Sequence, residues 1–191
     1  MTVDEVYSTI ANRMIKGMML HNELADYYKF LGLDGYSKCH EYHYFKESKC
    51  YRKFNKHIIS HHNKLIPDER FEYDSIIPAS WYAYSRDDVD TATKQGAVKK
   101  ALIDWVNWES DTKELYERMY KELMNENEVA SALYVGKIIC EVDKELSKAM
   151  KYHLNKKAMN YDLVDIVTEQ KSCKKKYCDK IERIHDEYRR D

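Results

Sequence analysis

Eight positions of one long segment, Val98, Leu102, Trp105, Glu109, Thr112, Tyr116, Met119 and Leu123, follow one another at steps of three and four. That spacing puts them on a single helix face. Five glycines and two prolines in 191 residues leave few places where such helices would be interrupted. The chain therefore reads as all-α. One member of the stripe does not suit an apolar face: Glu109. An isolated buried carboxylate is costly, so it has a partner or stays neutral.

The rest of the chain divides into further helices. The first is expected from about Val3 to Leu33, with Leu20, Glu23, Leu24, Tyr27, Phe30 and Leu31 along its second half. The run Gly32-Leu33-Asp34-Gly35 ends it, with glycine available for a left-handed cap, and Ser37 is placed to cap the next helix. That second helix is expected from Lys38 to Leu65, carrying Tyr44, Tyr51, Phe54, Ile58 and Leu65, with Glu47 on the same side and Pro67 as its stop. Residues 66–91 hold both prolines and form a connection long enough to cross a bundle from end to end. The third helix is expected from Asp90 to Met124. A short turn at Asn125-Glu126-Asn127 leads into a fourth, from Glu128 to Asn155, striped by Ala132, Val135, Ile139, Val142, Leu146 and Ala149. A fifth, from about Tyr161 to Arg190, repeats Leu163, Ile166, Gln170, Cys173, Tyr177, Ile181, Ile184 and Tyr188. Residues 1–157 then make the bundle. Residues 158–191 make a C-terminal helix that packs on it or on a partner subunit, which would give a homo-oligomer.

Composition excludes several classes. A formal net charge of −1 gives no bulk signal for nucleic acid. No segment approaches the length of a membrane span. The N-terminal stretch has early acids and no uninterrupted apolar run, so it does not read as a secretory signal. Five cysteines at irregular spacings, without a Cys-x-x-Cys pair, argue against a zinc ribbon or a dithiol redox site. The expectation is a cytoplasmic protein with reduced thiols.

Glu109 is not alone. Glu23 interrupts the first helix stripe, Glu47 the second, and Glu141 borders the fourth, with Glu145 one turn on. Carboxylates aimed inward from several helices are the ligand pattern of a paired-metal site in a bundle, built from single Glu residues on two helices and Glu-x-x-His on the other two. Such oxygen-rich ligation suits iron or manganese. Here Cys50 stands three residues after Glu47, where that pattern has its imidazole, and His43, one turn before Glu47, is a substitute donor. His40, His43, Glu47, Cys50, Phe54, His57 and His61 keep a three-four step. They read either as a metal-accessible seam or as a helix flank with partly exposed imidazoles. Tyr27, one turn from Glu23, reads as an electron donor beside a metal pair or as simple packing. Cys173 and Cys178 are five apart and share no face, so no site is assigned to them.

The stretch from Gly96 to Met150 resembles the third helix, tight turn and fourth helix of the ferritins. Ala101-Leu102 ahead of Glu109 matches a family run, Cys140-Glu141-Val142 falls on its fourth-helix motif, and Glu47 to Pro78 resembles its second helix and crossover. The resemblance spans roughly residues 20 to 155. It implies a ferritin-like four-helix bundle with a long crossover between helices two and three and an additional C-terminal helix. It also implies a metal site made of Glu23, Glu47, Cys50, Glu109 and Glu141, with Cys50 where the family has histidine and Glu141 where many members have glutamine. The implied function is binding of iron or manganese, with oxidation of Fe(II) at the bundle centre. The alternatives are a ferritin-fold interaction or structural module with a degenerate metal site, and a two-metal oxygenase acting on an organic substrate.

Overall fold

A computed structural model describes residues 1–65 and 73–190, the last three without their side chains. Five helices carry the chain: α1 (Val3–Phe30), α2 (Asp34–His62), α3 (Thr91–Asn125), α4 (Val129–Ala158) and α5 (Leu163–Arg190). No strand occurs among the described residues. No helix there is long and apolar enough to cross a membrane.

The four long stripes close on one another as two antiparallel hairpins. Tyr7 at the start of α1 meets His62 at the end of α2, while Tyr28 meets Tyr36 across the turn. In the second hairpin Trp105 meets Tyr152, and Lys113 pairs with Asp143. Arg13 joins α1 to α3 through Thr112 and Trp108, and Lys46 joins α2 to α4 through Glu145. α2 and α3 therefore run the same way and need a connection from one end of the bundle to the other. Its described part contains two short 3-10 turns, Ala79–Ala83 and Arg86–Asp88. Trp81 packs edge-on against Tyr27 and Phe30. Gly32 is left-handed at φ 76°, a backbone conformation that favours glycine, and the Arg86 guanidinium packs against it. Pro67, the expected stop of α2, lies outside the described residues. The left-handed Asn63 ends that helix.

Two boundaries differ from expectation. α1 ends at Phe30 rather than Leu33, and α2 starts at Asp34, so Ser37 is buried inside the helix and caps nothing. The reason lies far along the chain. Leu33 offers no side-chain cap, and the side-chain carbonyl of Gln170 accepts the free N–H of Gly35 at 2.8 Å. α5 thus supplies the cap for α2.

α5 runs parallel to the first half of α2. Lys174 pairs with Asp34, Tyr177 packs on Tyr42, His185 meets Phe45 edge-on, and Glu187 pairs with Lys49. On its other flank Asp165 and Glu169 hold Lys156 of α4. Ile166, Cys173, Tyr177, Ile181 and Ile184 are buried by these contacts. Five positions of the expected stripe are thus buried within the chain.

The α2–α5 approach depends on Gly35, where an added Cβ would lie 1.9 Å from the Gln170 carbonyl oxygen. Gly35→Ala is expected to force α5 away and cost on the order of 1–3 kcal/mol. The expected result is a lower melting temperature, with amide exchange rising in α5 before α1 or α3. Unchanged α5 protection would count against this lock.

Candidate functional site

The core is not continuous. One apolar half gathers Leu24, Tyr28, Val98, Leu102 and Trp105, and the other gathers Tyr7, Ile10, Met14, Phe54, Tyr116 and Met119. Between them lies a polar layer with a cavity of about 20 Å³ lined by Arg13, Gly17, Lys46, Glu47, Cys50, Glu109 and Tyr116, among others. That volume holds about one water or one ion.

Glu109 is 5% exposed and accepts a hydrogen bond from the Trp105 indole at 2.9 Å. Burial, and then the charge of Glu47, push its pKa up to about 8. Glu47 lines the same cavity from α2, and burial raises its pKa to about 7. The two carboxyls titrate as a pair, and near neutral pH the pair keeps at least one proton. Among the described residues Glu47 has no hydrogen-bond or ion-pair partner. Arg13 reaches the same layer but is anchored on α3. Its Nε donates to Thr112 at 2.8 Å, its Nη2 to the Trp108 carbonyl at 2.9 Å, and its guanidinium lies 3.4 Å from the Trp108 ring centroid.

Directly beyond Glu109 lie three histidines, His21, His40 and His43, each 1% exposed. His21 Nδ1 is 3.1 Å from His40 Nδ1, and His21 Nε2 is 3.8 Å from Glu109. Lys148 approaches His43 Nε2 at 2.5 Å. The ammonium can only donate, so His43 carries its hydrogen on Nδ1. Burial, followed by the charge of Lys148, lowers the His21 pKa to about 3. Burial holds His40 and His43 far below the usual imidazole range as well. All three are neutral.

The five residues expected as ligands do not share one point. Glu47 and Glu109 line the cavity together, with Cys50 beside Glu47. Burial and the Glu47 charge push the Cys50 pKa up to about 11, so it is a thiol. Glu141 touches the cavity rim, but its side chain is 48% exposed and paired with Lys144 at 2.5 Å and Lys46 at 3.6 Å. Glu23 does not line the cavity. It binds the crossover instead, accepting from Tyr73 at 2.9 Å, from the Ile76 amide at 3.1 Å, and from Ser75. The α1 residue that faces Glu47 is Gly17, whose Cβ position lies 3.6 Å from the Glu47 side chain. Glu23 is six residues further on, about 9 Å along the helix axis.

A two-metal centre does not fit this donor set. α1 offers glycine where a carboxylate is needed, and α4 offers Glu145, already bound to Lys46 at 2.6 Å. Two cations, Arg13 and Lys46, line the small cavity. Among the described residues no group of three or more His, Cys, Asp and Glu side chains is placed to hold a metal ion.

Sequence reasoning assigned no site role to His21 or Gly17, and it left His40 and His43 open between a seam and a flank. Met14, Gly17, His21 and Leu24 keep a three-four step. Extending the α1 stripe toward the N-terminus would have found both residues.

Two hairpins joined by a crossover, with carboxyls buried between the helices, define a ferritin-like bundle extended by a fifth helix. No family model and no curated relative matches the chain. The fold matches an open-pore ferritin of the hyperthermophilic archaeon Archaeoglobus fulgidus, at a TM-score of 0.74 and 14% identity over 90% of this chain and 94% of that one. An engineered closed form of the same ferritin aligns at 0.73 and 14%, with the same coverage. A humanized archaeal ferritin aligns at 0.74 and 14%, again over 90% of this chain and 94% of that one.

The layer dictates an unusual pH response. The folded pair keeps protons that free carboxyls lose above the ordinary value of 4.5, so its contribution falls as pH rises toward 8. The three imidazoles act oppositely. Their contribution is lost as pH drops below the ordinary value of 6.5, where the unfolded chain takes up protons that the fold refuses. Metal-free protein is expected to be most stable near that value. Chemical unfolding across pH should show an alkaline decline that is removed in the Glu47→Gln/Glu109→Gln double variant. An unaltered decline would place its source elsewhere.

Proposed function

We propose that this ferritin-fold protein binds a single divalent cation, Fe(II) or Mn(II), between Glu47 and Glu109. The observation that carries this reading is Glu47. It is a half-buried carboxyl without a hydrogen-bond or ion-pair partner among the described residues, lining the same ion-sized cavity as the buried Glu109. A cation there would displace the protons and compensate both acids, and hard oxygen donors suit these metals. No oxidation step is assigned, because the two-metal donor set does not fit.

A second reading has its own observation in Arg13 and Lys46, fixed cations in the same layer, and Gly17, the missing donor. On that reading the chain is a helical structural module and the acid pair shares a proton permanently.

Anaerobic Fe(II) or Mn(II) titration by calorimetry separates the two. Single-ion binding should appear above the pair's titration range, weaken on acidification, release protons, and raise the melting temperature. Saturation at about 100 times Kd corresponds to about 2.7 kcal/mol of added stability. Glu109→Gln keeps the shape and the acceptor for Trp105 but should lose most of the affinity. Binding unchanged in Glu109→Gln, or a melting temperature indifferent to metal, would favour the structural module.

A further inference from the structure

A second cavity, of about 450 Å³, opens between α2, α4 and α5 beside the carboxyl layer. Five cations line it, Lys46, Lys49, Lys53, Lys180 and Arg183, against only two carboxylates, Glu141 and Glu187. The carboxylates are already engaged. Glu187 pairs with Lys49, and Glu141 pairs with Lys46 and Lys144. Lys53, Lys180 and Arg183 have no ion-pair partner among the described residues. The Lys180 ammonium lies over two aromatic faces, 4.9 Å from the Tyr42 ring centroid and 5.3 Å from that of Tyr177, which hold it toward the cleft without supplying an anion. Burial, and then the charges of Lys148 and Lys176, lower its pKa. Burial and like charge both disfavour this ammonium, and an anion in the cleft would offset both.

We propose that this cleft is a binding site for a small multivalent oxyanion of the phosphate type. Lys180 and Lys53 supply ammonium donors, Arg183 supplies a planar fork that matches two oxygens of a tetrahedral anion, and the Tyr42 hydroxyl supplies a neutral donor. The cleft exists because α5 lies along α2: Lys180 and Arg183 come from α5, while Lys46, Lys49 and Lys53 come from α2. It shares Lys46, Cys50 and Glu141 with the inner cavity, so the anion would sit one side chain away from Glu47. The assignment does not depend on metal at the inner carboxyls.

The test is calorimetric titration of the full chain with inorganic phosphate, in the presence of a metal chelator and at constant ionic strength set with chloride. Saturable binding at one site per chain is expected, with a higher melting temperature than chloride gives. Lys180→Gln/Arg183→Gln should weaken binding by about tenfold or more, as expected for the loss of charge-assisted bonds. Arg183→Lys, which keeps the charge and loses the fork, should fall between. The helical signal and the metal-free melting temperature of Arg183→Gln serve as the folding control. Phosphate behaving like chloride, or the double variant binding as tightly as the parent, would overturn the site. Binding to vesicles with anionic phosphate headgroups, without binding to free phosphate, would also overturn it, as general surface charge.

Discussion

The bundle is organised around two carboxyls that it cannot comfortably ionise. Glu47 and Glu109 meet between two apolar half-cores, and burial keeps at least one proton on the pair near neutral pH. The neighbours are arranged accordingly. Trp105 gives Glu109 a neutral hydrogen bond, the three histidines are held uncharged, and Arg13 spends its donors on Thr112 and Trp108 rather than on either acid. A layer of this kind costs stability compared with an apolar one, because every charge state but one is penalised.

The comparison with archaeal ferritins shows the fold and stops there, at 14% identity. Within this chain the layer has its own identifiable features. Gly17 faces Glu47 from the first helix, Glu141 pairs with lysines at the rim, and Glu23 fastens the crossover. α5 lies along α2 and caps its first turn through Gln170. That packing converts a helix surface into a cationic cleft adjoining the acid layer. Acid and base are thus segregated on two sides of Cys50, Lys46 and Glu141, which the two cavities share.

Much of the fold was legible because helix stripes are a local property. The α3 stripe is buried at each of its eight positions, Glu109 included, since a three-four step fixes the face whatever the partner. The length of the connection after α2 foretold a crossover because parallel neighbours cannot be joined by a short turn. The start of α2 was misread because its cap comes from Gln170, 135 positions away. The site was legible only by face. Glu23, like Glu109, sits on an inward stripe, but a stripe gives direction and not height, and Glu23 lies about two turns from the level of Glu47.

By itself, the sequence determined an all-α chain of long amphipathic helices, the inward direction of Glu47 and Glu109, and a connection able to span the bundle. These follow from periodicity and from the scarcity of glycine and proline, which act within a few residues. Only the tertiary structure decided which side chains meet. Helix pairing sets the axial level at which Gly17 faces Glu47, His21 reaches Glu109, and Lys180 joins Lys53 around one cleft. Axial level comes from contacts distant in sequence. A chain read one segment at a time carries no record of them.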